Sequence, residues 1–160
     1  MEFIIKTTSK EATRNLGQKL ASTLRRGDVW TLTGDLGAGK TTFVQGVARG
    51  LECSHRVISP TFNILRCYFE AKIPFFHIDA YRLKEGNKDI GLEEFIEGEG
   101  VTFIEWPEYI EELLTVPICE VNITIIADDE RQFVFRSNSE RYRPLFQELK
   151  EINDDVNPLT

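Results

Sequence analysis

Residues 34–41 read Gly34-Asp35-Leu36-Gly37-Ala38-Gly39-Lys40-Thr41, and they meet every fixed position of the phosphate-binding pattern G-x-x-x-x-G-K-[ST]. Each residue type has a physical task. Gly34, Gly37 and Gly39 let the backbone turn tightly and approach a phosphate with no Cβ in the way. The loop N–H groups, including those of Asp35, Leu36 and Ala38, then form an anion nest at a helix start, where the helix dipole adds partial positive charge. Lys40 brings an ammonium to the outer phosphates, and the Thr41 hydroxyl is a hard oxygen ligand for Mg²⁺. Thr42, next along the helix, is grouped with the loop as a candidate contact.

The flanks constrain the fold further. Residues 29–33, Val-Trp-Thr-Leu-Thr, read as a strand. After the loop, Phe43, Val47 and Leu51 recur every four residues and predict a helix with one buried face. Strand, glycine loop and helix is the setting this motif requires.

The remaining chain alternates between the two periods. A short strand is expected at 3–6, then a helix opened by a Thr8–Glu11 capping box and carried by Ala12, Leu16, Leu20 and Leu24. Residues 62–69 and 73–79 predict an antiparallel hairpin, as do 120–127 and 131–136 across an acidic turn. Residues 91–96 predict a short helix and 101–104 a buried strand. Pro107 is suited to the first turn of a helix reaching Leu114. A last helix is expected over 139–152, limited by Pro144 to a start after that residue or to a kink. The sum is an α/β, three-layer domain of the P-loop NTPase kind, with a mixed sheet, antiparallel hairpins and flanking helices. One domain is expected over 1–152, with a loose polar tail at 153–160.

Composition narrows the function. With a formal net charge of −7 over 160 residues, the chain is not one that coats nucleic acid by bulk electrostatics. Cys53, Cys67 and Cys119 are odd in number and far apart, which argues against a disulfide framework or zinc site. The N-terminus is too short and acidic for a secretory signal, and no apolar stretch reaches membrane-spanning length; a cytoplasmic protein is expected.

Nucleotide hydrolysis also needs an acid at the end of a buried strand. Two segments qualify: 101–105, ending in Glu105, and 75–79, ending in Asp79. Either carboxylate can serve the metal or orient the attacking water. Glu108, three residues beyond Glu105, is the alternative metal-side acid, and the sequence leaves the two open. Ser59-Pro60-Thr61-Phe62 supplies a hydroxyl where switch segments of hydrolases often lie, although locally it reads as a proline turn. His55 and His77 read as structural or exposed. Trp106 reads as packing or as a rim aromatic. Arg131, just after the acidic turn, reads locally as a solvated hairpin residue and is carried as a candidate nucleotide contact.

Taken together, the 34–43 loop, Ser59-Pro60-Thr61-Phe62, His77-Ile78-Asp79-Ala80-Tyr81-Arg82-Leu83 and Glu105-Trp106-Pro107-Glu108 resemble the small bacterial P-loop ATPase family TsaE, formerly YjeE. The resemblance runs from the first helix to the second hairpin. It implies ATP and Mg²⁺ as cofactors and weak ATP hydrolysis that partners stimulate. It also implies a role in forming N6-threonylcarbamoyladenosine at position 37 of tRNAs reading codons that start with A. The implied partner is the TsaD–TsaB heterodimer, with tRNA met indirectly through that complex and no membrane. By motif, Lys40 and the loop amides hold the phosphates, Thr41 holds Mg²⁺, Glu105 takes the metal side, and Asp79 and Thr61 complete the hydrolytic site. Ala80 stands where the family usually has leucine. Two other classes fit a P-loop of this size: a small-molecule kinase, and a nucleotide-gated binding module in which hydrolysis is incidental.

Overall fold

Seven strands form one mixed sheet in the computed structural model, which describes residues 1–86 and 88–154. They are β1 (Glu2–Thr7), β2 (Val29–Thr33), β3 (Leu65–Tyr68), β4 (Phe75–Asp79), β5 (Val101–Glu105), β6 (Cys119–Ile125) and β7 (Arg131–Arg136). The order is β1-β7-β6-β2-β5-β4-β3. The four central strands, β6, β2, β5 and β4, run parallel, and both expected hairpins add antiparallel strands outside them. Burial follows the residue pattern. β4 and β5 are unbroken runs buried along their length, as parallel strands covered on both faces must be. β6 alternates buried and exposed residues, as a strand with one wet face does.

The two faces are covered unequally. On one lie three long helices, α1 (Lys10–Leu20), α2 (Lys40–Gly50) and α4, which follows a short α3 (Glu93–Ile96) and spans Arg143–Asp154. Leu16, Leu20, Phe43, Val47 and Leu149 meet Trp30, Phe103, Phe133 and Phe135 of the sheet there. The other face is closed by α3 and short 3-10 turns, whose Leu83, Leu92, Ile96 and Ile110 bury Ile78 and Ile104. The three expected layers are therefore present, one of them thin.

Three local expectations are corrected. The helix at Pro107 is a 3-10 segment, Pro107–Leu113, and its backbone leaves helical geometry at Ile110, the residue it buries completely. α1 is capped by Ser9 rather than Thr8: the Ser9 hydroxyl accepts from the Ala12 N–H at 3.0 Å. The last helix begins as a 3-10 turn, Glu140–Tyr142, and α4 then carries Pro144 in its first turn, where no intrahelical N–H is needed. Of the tail expected at 153–160, Asn153 and Asp154 belong to α4 and the rest lies outside the described residues.

α1 and α2 touch backbone to backbone. A Cβ on Gly17 would sit 2.5 Å from the Phe43 carbonyl, and one on Gly46 would strike the Arg14 carbonyl. Glycine at these positions lets α1 seat α2, and α2 carries the loop that follows β2.

Candidate functional site

The parallel strands β2, β4 and β5 all end on one edge of the sheet, and the expected site residues gather there. β5 lies between β2 and β4, with Glu105 opposite Leu32 on one side and opposite Asp79 on the other. Two carboxylates thus end neighbouring strands beside the loop that leaves β2. They border a cleft of about 600 Å³, also lined by Leu36, Gly37, Gly39, Lys40, Thr41, Thr42 and Thr61.

The loop has the backbone its glycines permit. Gly39 has φ +107° and caps α2 without a side chain; Gly34 has φ +153°, and a Cβ there would sit 2.5 Å from the Ile123 carbonyl. Phe43 is the first residue of α2 to bond back one turn, to the Gly39 carbonyl at 2.8 Å. The N–H groups of Lys40, Thr41 and Thr42 precede it, at the positive end of the helix dipole. Lys40 folds back over the loop: its Nζ donates to the Gly34 carbonyl at 2.7 Å, lies 3.4 Å from Glu105 Oε1, and stands 5.5 Å above the Trp106 ring.

Glu105 is nearly buried, and His77 Nε2 approaches its Oε2 at 2.8 Å. The approach lies off the N–H axis, so neither ring nitrogen of His77 nor Oε2 of Glu105 has an aligned hydrogen bond. Burial pushes the Glu105 carboxyl up, but His77 and then Lys40 outweigh it and hold the pKa below its ordinary value. Asp79 Oδ1 accepts from the Tyr81 N–H at 3.0 Å, which fixes the carboxylate at the strand end. The Thr61 hydroxyl lies 2.7 Å from that of Ser59, and both line the cleft.

Several expected residues stand apart from the cleft. Gly34 and Glu108 line a smaller pocket of about 50 Å³ shared with Lys40 and Trp106. Glu105, by contrast, faces the cleft directly. Asp35 turns its carbonyl to the Ala38 N–H at 2.9 Å, and Ala38 is buried. Arg131 donates to the loop carbonyls of Gly37 and Ala38 and lines a pocket of about 40 Å³ that shares Lys10, Gly37, Gly39 and Thr42 with the cleft.

Sequence reading missed other residues of the site. Lys10, the first residue of α1, and Tyr81 line the cleft. Lys10 has no local signal; it arrives through the α1–α2 contact. His77 was legible only in part, because spacing by two along β4 puts it on the same face as Asp79. Trp106, expected as packing or as a rim aromatic, lines the cleft with left-handed backbone (φ 57°, ψ 50°) and stacks on Tyr109 at 6.0 Å. A non-glycine residue in that region stores strain, a feature that clusters at working sites.

The donor set fits a nucleotide with a hard cation. Backbone amides and an ammonium face where phosphate would lie, and a hydroxyl and carboxylates supply oxygen ligands. Among the described residues no three His, Cys, Asp or Glu side chains are grouped to hold an ion alone. Such a site suits an ion that takes its remaining ligands from phosphate and water, as Mg²⁺ does. No helix among the described residues is long and apolar enough to cross a membrane.

Comparison with known proteins points one way. The family model "Threonylcarbamoyl adenosine biosynthesis protein TsaE" matches residues 7–133. The chain is 41% identical over 144 residues to the tRNA threonylcarbamoyladenosine biosynthesis protein TsaE of Bacillus subtilis, covering 90% of this chain and 91% of that protein. It is 40% identical to the protein of that name from Rickettsia bellii, over 77% of this chain and 87% of the other. The crystal structure of Bacillus subtilis YdiB superposes with a TM-score of 0.82 at 34% identity, covering 96% of this chain and 97% of that one.

Proposed function

Because the chain belongs to the TsaE family of tRNA threonylcarbamoyladenosine biosynthesis, we propose that it binds ATP with Mg²⁺ in this cleft and hydrolyses it. In this reading it works in the cytoplasm, in support of threonylcarbamoyl transfer to tRNA by a TsaD–TsaB heterodimer. The observation that carries the reading is the convergence of a P-loop and two strand-end carboxylates on one cleft, with Lys40 between loop and acid.

The proposed chemistry follows from the side chains. The N–H groups at the start of α2 hold the phosphates, and Lys40 leaves the Gly34 carbonyl to meet the outer phosphate oxygens. Mg²⁺, when bound, neutralises charge on the β- and γ-phosphates. Thr41 and Glu105 are the residues that would hold it. Asp79, with Thr61, orients water for in-line attack on the γ-phosphate. Most of the acceleration then comes from preorganised charge. Partner dependence is supported by Leu36 of the loop and Phe62 beside Thr61, large apolar side chains left 96% and 79% exposed near the cleft. A partner that covers them would also exclude water from the reaction.

Calorimetry of ATP·Mg²⁺ with the wild type and Lys40→Ala tests the binding half: uptake by the wild type and its loss in the variant are expected. Turnover with and without the heterodimer tests the other half. Equal rates in the two assays would remove partner stimulation from the reading.

A further inference from the structure

His77 is a fully buried polar side chain that the proposed chemistry leaves unused. It lies in the middle of β4, whose residues Phe75, His77 and Asp79 share one face of the sheet. The parallel register sets Phe75 beside Val101, His77 beside Phe103 and Asp79 beside Glu105. His77 therefore belongs to the layer between the two strand-end carboxylates and an aromatic core, in which Phe75 and Phe103 meet edge to face at 6.0 Å.

A buried imidazole beside aromatic rings needs a polar partner. Among the described residues neither of its ring nitrogens has an aligned one. Glu105, diagonal to His77 across the two strands, turns back so that its Oε2 comes within 2.8 Å of Nε2. At that distance a proton belongs on Nε2, since a bare ring nitrogen and a carboxylate oxygen are both acceptors and repel. The carboxylate is thereby divided. Oε2 meets His77 on the core side, and Oε1 lies 3.4 Å from Lys40 Nζ. The His77 contact is close but unaligned, as hydrogen bonds of working sites often are before a ligand arrives. Once Lys40 moves to the phosphates, His77 is the partner left to hold Glu105.

We propose that His77 is a positioning residue for the divalent cation: it grips the inner oxygen of Glu105, so that the outer oxygen stays aimed at the cleft after Lys40 has left it. The inference rests on the nucleotide reading above, with Glu105 on the metal side. A carboxylate already held by a hydrogen bond loses less freedom when it takes a metal, and so binds the metal more tightly. His77 does not reach the phosphates, so its effect is felt only when the metal is present.

The test uses the full chain with His77→Leu, which fills the space without a donor, and His77→Gln, whose amide nitrogen reaches the place of Nε2. Calorimetry gives the ATP dissociation constant in EDTA and in saturating Mg²⁺, and by linkage the ratio of the two reports the metal's hold on the protein. In His77→Leu that ratio should fall about tenfold or more, with the EDTA value staying within about threefold of the wild type. His77→Gln should recover most of the ratio. A purely structural role would weaken ATP equally in both buffers. Should His77→Leu fail to fold, His77→Asn takes its place: its amide reaches only the position of Nδ1, and the ratio should fall there as well. Thermal melts of protein free of metal and nucleotide test the contact itself. The midpoint loss in the double variant His77→Leu/Glu105→Leu should be smaller than the summed losses of the two single variants, because each single variant leaves a buried polar partner behind. An unchanged ratio, an equal loss in both buffers, no recovery by glutamine, or additive melting losses would each overturn the inference. A wild type that binds no ATP, or gains nothing from Mg²⁺, would instead overturn the nucleotide reading, with the melting result still standing on its own.

Discussion

Glu105 sits between the imidazole of His77 and the ammonium of Lys40, and its environment has two consequences that can be measured separately. The first concerns stability. Burial raises its pKa, and the two neighbours reverse this and hold it below the ordinary 4.5. A carboxyl whose pKa is lower folded than unfolded contributes stability above the unfolded value. That contribution is lost as pH falls through the folded value. In magnesium-free buffer the denaturation midpoint of the wild type should drop as pH falls below about 4.5, and Glu105→Gln should flatten that acid limb. An identical limb in the variant would assign the loss to other carboxylates. The second consequence concerns turnover. Glu105→Gln keeps the shape of the side chain and removes its charge, so ATP hydrolysis should fall about 10²-fold with nucleotide binding largely kept. Single-turnover kinetics and calorimetry on one preparation separate the two. Retained hydrolysis would move the metal-side role to Glu108, which faces the smaller pocket beside Lys40.

Two elements should lose similar stability on mutation but differ in their effect on ATP binding. A methyl group on Gly46 would meet the Arg14 carbonyl and force α1 and α2 apart. Gly46→Ala should cost about 1–3 kcal/mol of stability and also weaken ATP binding, because α2 begins at Lys40. Tyr142 lies at the far end of the same sheet. Its hydroxyl accepts from the Val29 N–H at 2.9 Å and has the Val29 and Pro117 carbonyls at 3.0 and 2.9 Å. Tyr142→Phe leaves those groups unpaired and should cost about 1–3 kcal/mol in urea denaturation, with ATP affinity unchanged. What the sequence made legible follows the same division between local and distant. The phosphate loop, both hairpins and the two strand-end acids are encoded within short windows, by glycine–lysine spacing and by residue period. Contacts that depend on strand order are not encoded there. His77 meets Glu105 only because β4 lies beside β5, and Arg131 reaches the loop only because β6–β7 folds alongside β2. The choice between Glu105 and Glu108 is of that second kind. The left-handed backbone at Trp106 turns the chain between them, and three residues of spacing do not announce it. The correction from Thr8 to Ser9 at the start of α1 is smaller, since neighbouring hydroxyl residues differ little as caps until the backbone is fixed.

Over the whole molecule, a formal charge of −7 opposes the approach of a polyanion. On the proposed reading, affinity for ATP therefore comes from the local field of the loop, Lys40 and the helix start rather than from the protein's overall field. Binding confined to the folded state stabilises that state by mass action, by about 2.7 kcal/mol when free ligand is a hundred times Kd. For a chain of this size each kcal/mol moves the melting midpoint by roughly 2–4 °C, so saturating ATP·Mg²⁺ should raise it by about 5–10 °C. The rise should vanish in Lys40→Ala, while Tyr142→Phe should melt earlier yet show the full rise. Thermal melts across that set distinguish residues that serve the loop from residues that serve the sheet. An equal rise in Lys40→Ala would mean that the nucleotide binds away from the loop, and the cleft at the ends of β2, β4 and β5 would no longer be its site.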